Sequence, residues 1–303
     1  MSGKRPRWWQ RPLTHDAVGL ARQFLVVTDI DATLLESNTR GLPDERAAID
    51  FLAARGIPLV ITSSRTRAEI ERLQKTLQML TPFISEDGSA LFMPHGCFPF
   101  VPLRARSAIG GHVVEFGRRY HEVVEALRQT SRELGVEIVG FAELTIDDVA
   151  RELGVTSIDA QLAKLREYTE LFRFVDEPEA TRSRLFKALR RRGLRSWQTG
   201  RHHLVTATRD RTESLRMLTT MWKAAWGETV VIGFGDSEDD VAWLQHVDVP
   251  IVVHRDGVGV PPRVLAKLPT VHITRSPGRR GWSEAVFELV GGLFHDQHRA
   301  PID

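Results

Sequence analysis

Cysteine is almost absent from this sequence: Cys97 stands alone among 303 residues. A lone thiol cannot close an internal disulfide, so a reducing, cytoplasmic setting is expected. No activating motif flanks Cys97, which reads as a structural residue. Long hydrophobic runs are missing too. None approaches the roughly 18 residues that a membrane span needs, so no membrane partner is expected. Nor is there an excess of charge of either sign. The 41 Lys and Arg against 39 Asp and Glu leave +2, which offers no case for a nucleic-acid partner. The opening stretch, MSGKRPRWWQRPL, is basic but lacks the apolar core of a signal peptide. Residues 1–22 therefore read as a basic arm. Internal repeats and low-complexity tracts are absent. These exclusions leave a globular protein of unspecified oligomeric state with a small-molecule partner.

What is present alternates between two periods. Phe24 to Thr28 is a short apolar run that reads as a strand buried on both faces, hence part of a parallel sheet. Pro43 to Arg55 follows with helical spacing and stops at Gly56. Ile57 to Ile61 reads as a second buried strand, and Thr66 with Glu69 forms a capping box opening a helix to about Leu80. This rhythm predicts an α/β, Rossmann-like doubly wound parallel sheet. It breaks after about Met93. Between 98 and 200 the sequence reads as an α+β insertion with an antiparallel sheet. Its expected strands are 113–116, 137–141 and one or two over 194–206, and its helices 120–134 and 178–192. The first rhythm resumes near 208, with a buried strand at 229–232, shorter strands at 250–253 and 271–273, and a helix over 283–293. The expected division is 1–22 arm, 23–95 first part of the core, 96–205 inserted domain, and 206–303 second part of the core.

The acidic residues fall where such a sheet binds ligands. Asp29 and Asp31 lie just past one buried strand, and Asp236, Asp239 and Asp240 just past another. Ligands of open α/β sheets bind at these carboxyl ends. Several carboxylates gathered there are costly unless a cation neutralises them, and oxygen-rich sites suit Mg²⁺. Thr62 and Ser63 end a third strand, where a hydroxyl and free N–H groups suit a phosphate oxygen. Metal, carboxylate and phosphate anchor together indicate phosphoryl transfer.

The motifs carry a resemblance. Asp29-Ile30-Asp31-Ala32-Thr33, Val60-Ile61-Thr62 and Gly235-Asp236-Ser237-Glu238-Asp239-Asp240 resemble the first, second and fourth motifs of the haloacid-dehalogenase phosphatases. The insertion resembles their C2-type cap. Thr62 to Glu69, Ser85 to Gly88, Gly200 to Leu204 and Gly281 to Ala285 resemble the mannosyl-3-phosphoglycerate phosphatase family in particular.

This resemblance implies a set of roles. Asp29 would be the nucleophile that becomes an aspartyl phosphate, and Asp31 the general acid/base. Thr62 would hold a phosphate oxygen. Asp29, Asp31, Asp236 and Asp240 would surround Mg²⁺. Ser63, Glu86, Asp87, Gly88, Arg201 and His202 would contact substrate. Gly117 to Arg119 and a basic loop at 277–281 are further candidates. The pattern also departs from the family. Ala32 replaces a glycine, Asp239 replaces an asparagine, and Arg211 stands where the family places a lysine, with Arg209 as a nearby competitor. The implied activity is hydrolysis of mannosyl-3-phosphoglycerate to mannosylglycerate. The alternatives are another sugar phosphate (glucosyl-3-phosphoglycerate or sucrose phosphate), a binding protein that has lost turnover, or a phosphomutase.

Overall fold

Along the first strand, Leu25 and Val27 enter one hydrophobic core while Phe24 and Val26 enter another. All four are buried. Successive side chains on a strand point to opposite faces, so both faces of this sheet are covered, as the unbroken apolar run predicts. The computed structural model describes residues 23–31, 33, 43–208, 210–257 and 259–293. The basic arm, Ala32 and Arg209 lie outside the described residues.

The strands are β1 (Gln23–Thr28), β2 (Leu59–Thr62), β3 (Phe83–Ser85), β4 (Ala90–Pro94), β5 (Arg106–Ala108), β6 (Gly111–Glu115), β7 (Ile138–Gly140), β8 (Glu170–Phe174), β9 (Arg195–Thr199), β10 (His202–Thr206), β11 (Thr229–Gly235), β12 (Val249–Val252) and β13 (His272–Ile273). Nine of them form one sheet in the order β13-β12-β11-β1-β2-β3-β4-β6-β5. The run from β13 to β3 is parallel, and β4, β6 and β5 continue it antiparallel. Helices Pro43–Ala54 and Gly278–Ala285 cover one face, where Leu52, Trp282 and Val286 pack. Helix Thr212–Trp226 covers the other through Leu215, Leu218 and Trp222. The doubly wound expectation holds. β1 lies between β11 and β2, which the chain reaches in opposite directions, and this is the switch point where such sheets bind ligands.

A second, wholly antiparallel sheet has the order β7-β8-β10-β9. Helices Tyr120–Leu134 and Glu179–Arg191 bury Val123, Leu127, Leu185 and Leu189 on one face of it. Val149 and Ala160, from helices Ile146–Leu153 and Ser157–Ala163, pack on the other face against Phe141, Leu171 and Leu204. The strand expected within the insertion near 113–116 joins the large sheet instead, because Gly111–Glu115 pairs with β4. We therefore propose that the inserted unit starts with helix Tyr120–Leu134 rather than at residue 96.

Three local expectations change. The two short helices at 146–153 and 157–163 were not evident, since each is too short to establish a helical period. The segment 277–281 is not a basic loop. Gly278–Ala285 is helical, with Arg280 paired to Glu284 at 2.8 Å. The last helix accordingly begins earlier than 283 and passes through a π turn at Val286–Val290. Cys97 is buried, and burial pushes its thiol up to about 12. It stays a protonated, inert core residue. Among the described residues, no helix is long and apolar enough to cross a membrane.

His203 packs among Phe172, Phe174 and Phe186 with ring centroids 5.1–5.5 Å apart. Its Nδ1 is buried without a hydrogen-bond partner among the described residues. Burial, helped by Arg182, pulls its pKa below the ordinary 6.5. A depressed histidine favours folding less as acid is added. Below pH 6.5 the unfolded chain binds a proton that folded His203 resists, so stability falls until pH passes the folded value. His203→Phe should stabilise the fold by about 1 kcal/mol and flatten the decline in Tm between pH 7 and pH 5. An unchanged pH profile of Tm would assign the acid sensitivity elsewhere.

Candidate active site

Four consecutive strands of the parallel run deliver polar residues to one edge. Asp29 follows β1, Ser63 follows β2, Glu86 follows β3 and Asp236 follows β11. The Asp29 N–H donates to the Phe234 carbonyl at 2.9 Å, which fixes the nucleophile candidate against β11. Thr28 donates its hydroxyl to the Asp29 carbonyl at 2.8 Å, and Trp282 Nε1 donates to Thr28 Oγ1 at 3.1 Å. Trp282 thus braces the turn that carries Asp29 from the opposite layer.

Arg211 is the hub of the site. Its Nη1 donates to Asp29 Oδ1 at 2.6 Å and to Asp240 Oδ1 at 3.1 Å. Its Nη2 and Nε both donate to Asp87 Oδ1, at 3.0 and 3.3 Å. A planar guanidinium can span three carboxylates in this way, whereas an ammonium is a single point. The Arg211 side chain is 11% exposed. Burial alone would favour its neutral form, but Asp29, Asp87 and Asp240 outweigh that and hold it charged. Burial pushes the Asp29 carboxyl well above its usual range. Arg211 opposes the shift, while Asp240, Asp31 and Asp236 add to it. Burial likewise moves Asp236 up to about 6, against the pull of Arg255, whose Nε lies 2.5 Å from its Oδ2. The like charges are therefore close enough to resist ionising together, and further positive charge would relieve them.

Asp31 faces the open side. Arg65 Nε donates to both its oxygens at 3.2 Å, and Arg65 Nη2 donates to Oδ1 at 2.5 Å. Thr62 Oγ1 and Asp87 Oδ2 are buried with no hydrogen-bond partner among the described residues. A buried hydroxyl without a partner is costly, and at this edge a phosphate oxygen would satisfy it.

Several expected site residues prove to be committed elsewhere. Both Asp240 oxygens are occupied. Oδ2 accepts from the N–H groups of Asp236 and Ser237 at 3.1 Å and from Ser237 Oγ at 2.7 Å, while Oδ1 accepts from Trp243 Nε1 at 2.9 Å as well as from Arg211. Asp240 therefore braces the loop after β11. Gly235 makes this possible, since a Cβ there would lie 2.6 Å from the Asp240 Cβ. Ser63 is fully buried. Its Oγ accepts from the Arg65 N–H at 3.2 Å and its carbonyl from the Asp87 N–H at 3.0 Å.

Glu86, Asp87 and Gly88 all have positive φ, at 48°, 54° and 88°. That turn aims Glu86 away from the cleft. Its carboxylate accepts from the N–H groups of Glu167, Tyr168 and Thr169 at 2.8, 3.1 and 2.8 Å, and from Thr169 Oγ1 at 2.6 Å. Glu86 therefore anchors the start of β8. Gly88 seals the same turn, because a Cβ there would meet the Asp210 carbonyl at 2.6 Å. Asp87 alone of this trio reaches the site, through Arg211. Glu86→Ala should strand the buried N–H groups of Tyr168 and Thr169 and release that of Glu167, at a cost of about 3 kcal/mol, read as a lowered urea midpoint. A loss below about 0.5 kcal/mol, the size of a surface change, would mean that the socket is solvated.

Arg201 and His202 sit at the far end of the inserted sheet. β10 meets the large-sheet region at Thr206, whose Oγ1 is 3.3 Å from Ser89 Oγ. At ~3.3 Å per residue, Arg201 lies roughly 16 Å along the strand from that contact. His202 Nε2 bonds Glu152 at 2.6 Å and is buried beside Phe141. Arg201 lines a surface pocket with Arg151, Glu152 and Arg173. Arg119, from the other candidate segment, pairs at 3.7 Å with Glu115.

The structure also brings in residues that had no assigned role: Thr28, Arg65, Trp243, Arg255 and Trp282. Arg65 and Trp282 lie inside the motifs that carry the resemblance, and that was the available signal.

Among the described residues no three His, Cys, Asp or Glu side chains close on one metal position. The donors nonetheless suit a hard cation. Asp29 and Asp236 are carboxylates whose ionisation is opposed by neighbouring negative charge, and all-oxygen donors are what Mg²⁺ takes.

Comparison with known proteins places this geometry. Residues 26–96 match the haloacid dehalogenase-like hydrolase family. A glucosyl-3-phosphoglycerate/mannosyl-3-phosphoglycerate phosphatase of Methanococcoides burtonii is 32% identical over 270 residues, covering 89% of this chain and 98% of its own. A mannosyl-3-phosphoglycerate phosphatase of Pyrococcus horikoshii is 30% identical, covering 76% of this chain and 90% of its own. A haloacid dehalogenase-like hydrolase from Bacteroides thetaiotaomicron shares the fold with a TM-score of 0.64 at 18% identity, over 88% of this chain and 100% of that one. The chain therefore belongs to the haloacid dehalogenase-like hydrolases, as a phosphatase of the family that includes the mannosyl-3-phosphoglycerate phosphatases.

Proposed function

We propose that the chain hydrolyses the phosphomonoester of a glycosyl-3-phosphoglycerate, mannosyl or glucosyl, through phosphorylated Asp29 and with Mg²⁺. The observation that carries the chemistry is the meeting of Asp29, Arg211 and the unpartnered Thr62 hydroxyl at one sheet edge. The relatives' substrates carry the choice of sugar.

In this reading Asp29 attacks phosphorus, and its Arg211 partner moves to the phosphate oxygens, for which a guanidinium fork is suited. Thr62 donates to a further oxygen. Asp31 protonates the departing glycerate oxygen, then takes a proton from the water that cleaves the acyl phosphate. Asp240 and Asp87 hold Arg211 in place without touching substrate. Asp29, Asp236 and the Asp31 carbonyl would hold Mg²⁺, which would supply charge neutralisation between nucleophile and phosphate.

The test is phosphate release from mannosyl-3-phosphoglycerate, glucosyl-3-phosphoglycerate, sucrose phosphate and simple sugar phosphates, with Mg²⁺ and with EDTA. Release that needs Mg²⁺ and favours the two glycosyl-phosphoglycerates is expected. Preference for sucrose phosphate would retain the chemistry and reject the substrate. No release from any of them would favour a binding protein without turnover.

A further inference from the structure

The ion pair between Arg65 and Asp31 differs in kind from the others in the site. The Arg211 side chain is 11% exposed and shared among three carboxylates, whereas Arg65 and Asp31 are 32% and 49% exposed. Arg65 bonds Asp31 through Nε and Nη2, and no described group accepts from its Nη1. The guanidinium therefore keeps a donor, Nη1, for a further acceptor. Its main chain is well anchored. The Arg65 N–H donates to Ser63 Oγ at 3.2 Å, and its carbonyl accepts from the Glu86 N–H at 3.1 Å.

Both Asp31 oxygens accept from the Arg65 guanidinium, so Arg65 competes with a leaving group for Asp31. An anion that pairs with Arg65 would relieve that competition. This pair is more open to solvent than those of Arg211, so an incoming anion of good geometry can compete with Asp31 for Arg65. The transferred phosphate is held at the Asp29 and Arg211 side. The anion that meets Arg65 must therefore belong to the leaving group, beside the oxygen that Asp31 protonates. We infer that Arg65 is the residue that recognises a carboxylate on the leaving group, leaving Asp31 as it does so and thereby freeing that acid. This rests on the glycosyl-3-phosphoglycerate reading for the identity of the carboxylate. In a 3-phosphoglycerate the carboxylate carbon is three bonds from the departing oxygen, close enough for neighbouring groups to reach both. The same contact would make the acid available mainly to substrates that carry the second anion.

The experiment compares 3-phosphoglycerate with glycerol 3-phosphate, which lacks the carboxylate, in the wild type, Arg65→Met and Arg65→Lys with Mg²⁺ present. Mannosyl- and glucosyl-3-phosphoglycerate are run beside them. The ratio of kcat/KM between the matched pair cancels any general damage to Asp31. The wild type should favour the carboxylated substrate. Arg65→Met should cut that ratio about 10- to 100-fold, mostly through KM, and Arg65→Lys should restore part of it. D-glycerate should inhibit the wild type competitively and Arg65→Met far less, a readout that holds even if the Met variant turns over poorly. A wild type without preference, equal losses on both substrates, or an unmoved ratio overturns the inference. If the ratio moves as expected but glycosylated substrates are not favoured over 3-phosphoglycerate, the sugar reading falls and the role of Arg65 stands. If glycosylated substrates are favoured and the ratio does not move, the reverse holds.

Discussion

Asp29→Asn should lower phosphate release by at least about 10⁴-fold while leaving Tm unchanged or raised. The first effect follows, in the proposed mechanism, from removing the carboxylate at the end of β1 that would accept the phosphoryl group. The second follows from electrostatics. Asp29 is buried, and Asp240, Asp31 and Asp236 all oppose its ionisation. A neutral amide of the same shape removes that repulsion, and Arg211 keeps Asp87 and Asp240 as partners. Loss of activity with a large fall in Tm would indicate that the variant misfolds. Undiminished turnover would remove Asp29 from the chemistry altogether.

Arg211→Ala should cost both stability and activity, whereas Arg211→Lys should mainly cost stability. Truncation leaves three buried or nearly buried carboxylates without their shared cation, and breaking such a pair costs about 3–5 kcal/mol. Lysine restores the charge but cannot reach Asp29, Asp240 and Asp87 from one nitrogen with the geometry of the fork. An intermediate Tm is expected, with turnover within about tenfold of the wild type. The urea midpoint and single-turnover phosphate release measure the two effects separately. Equal activity in the wild type and Arg211→Ala would show that Arg211 is a structural counter-charge only. The departure from the family's lysine therefore has a physical reading. Arginine here is a three-way clasp, and in the proposed mechanism it is also the phosphate ligand.

Much of this was legible because the carboxyl ends of buried strands are marked in the sequence itself. Apolar runs ending at Thr28, Thr62 and Gly235 announce both the parallel sheet and the edge at which Asp29, Thr62 and Asp236 meet. The capping box of Thr66 and Glu69 was equally plain and is present with both bonds. What could not be read is where a side chain points once its loop turns over. Glu86 sits one residue past β3, as Asp29 does past β1, yet consecutive left-handed residues swing it to main-chain donors some eighty positions away. No side-chain pattern encodes that target. Arg201 and His202 share a motif with known phosphatases, but their distance from the core depends on which end of β10 meets Ser89, and only tertiary pairing decides it. The placement of β5 and β6 on the large sheet likewise depends on a partner, β4, and not on their own composition.

The Glu86 socket has an evolutionary corollary. Of its four donors, three are main-chain N–H groups, at 167, 168 and 169. Every residue except proline supplies such a group. The side chains at 167 and 168 can therefore change without loosening this contact between the inserted unit and the large sheet. Selection on the socket reduces to one acid at 86, the turn that aims it, and the exclusion of proline from three positions.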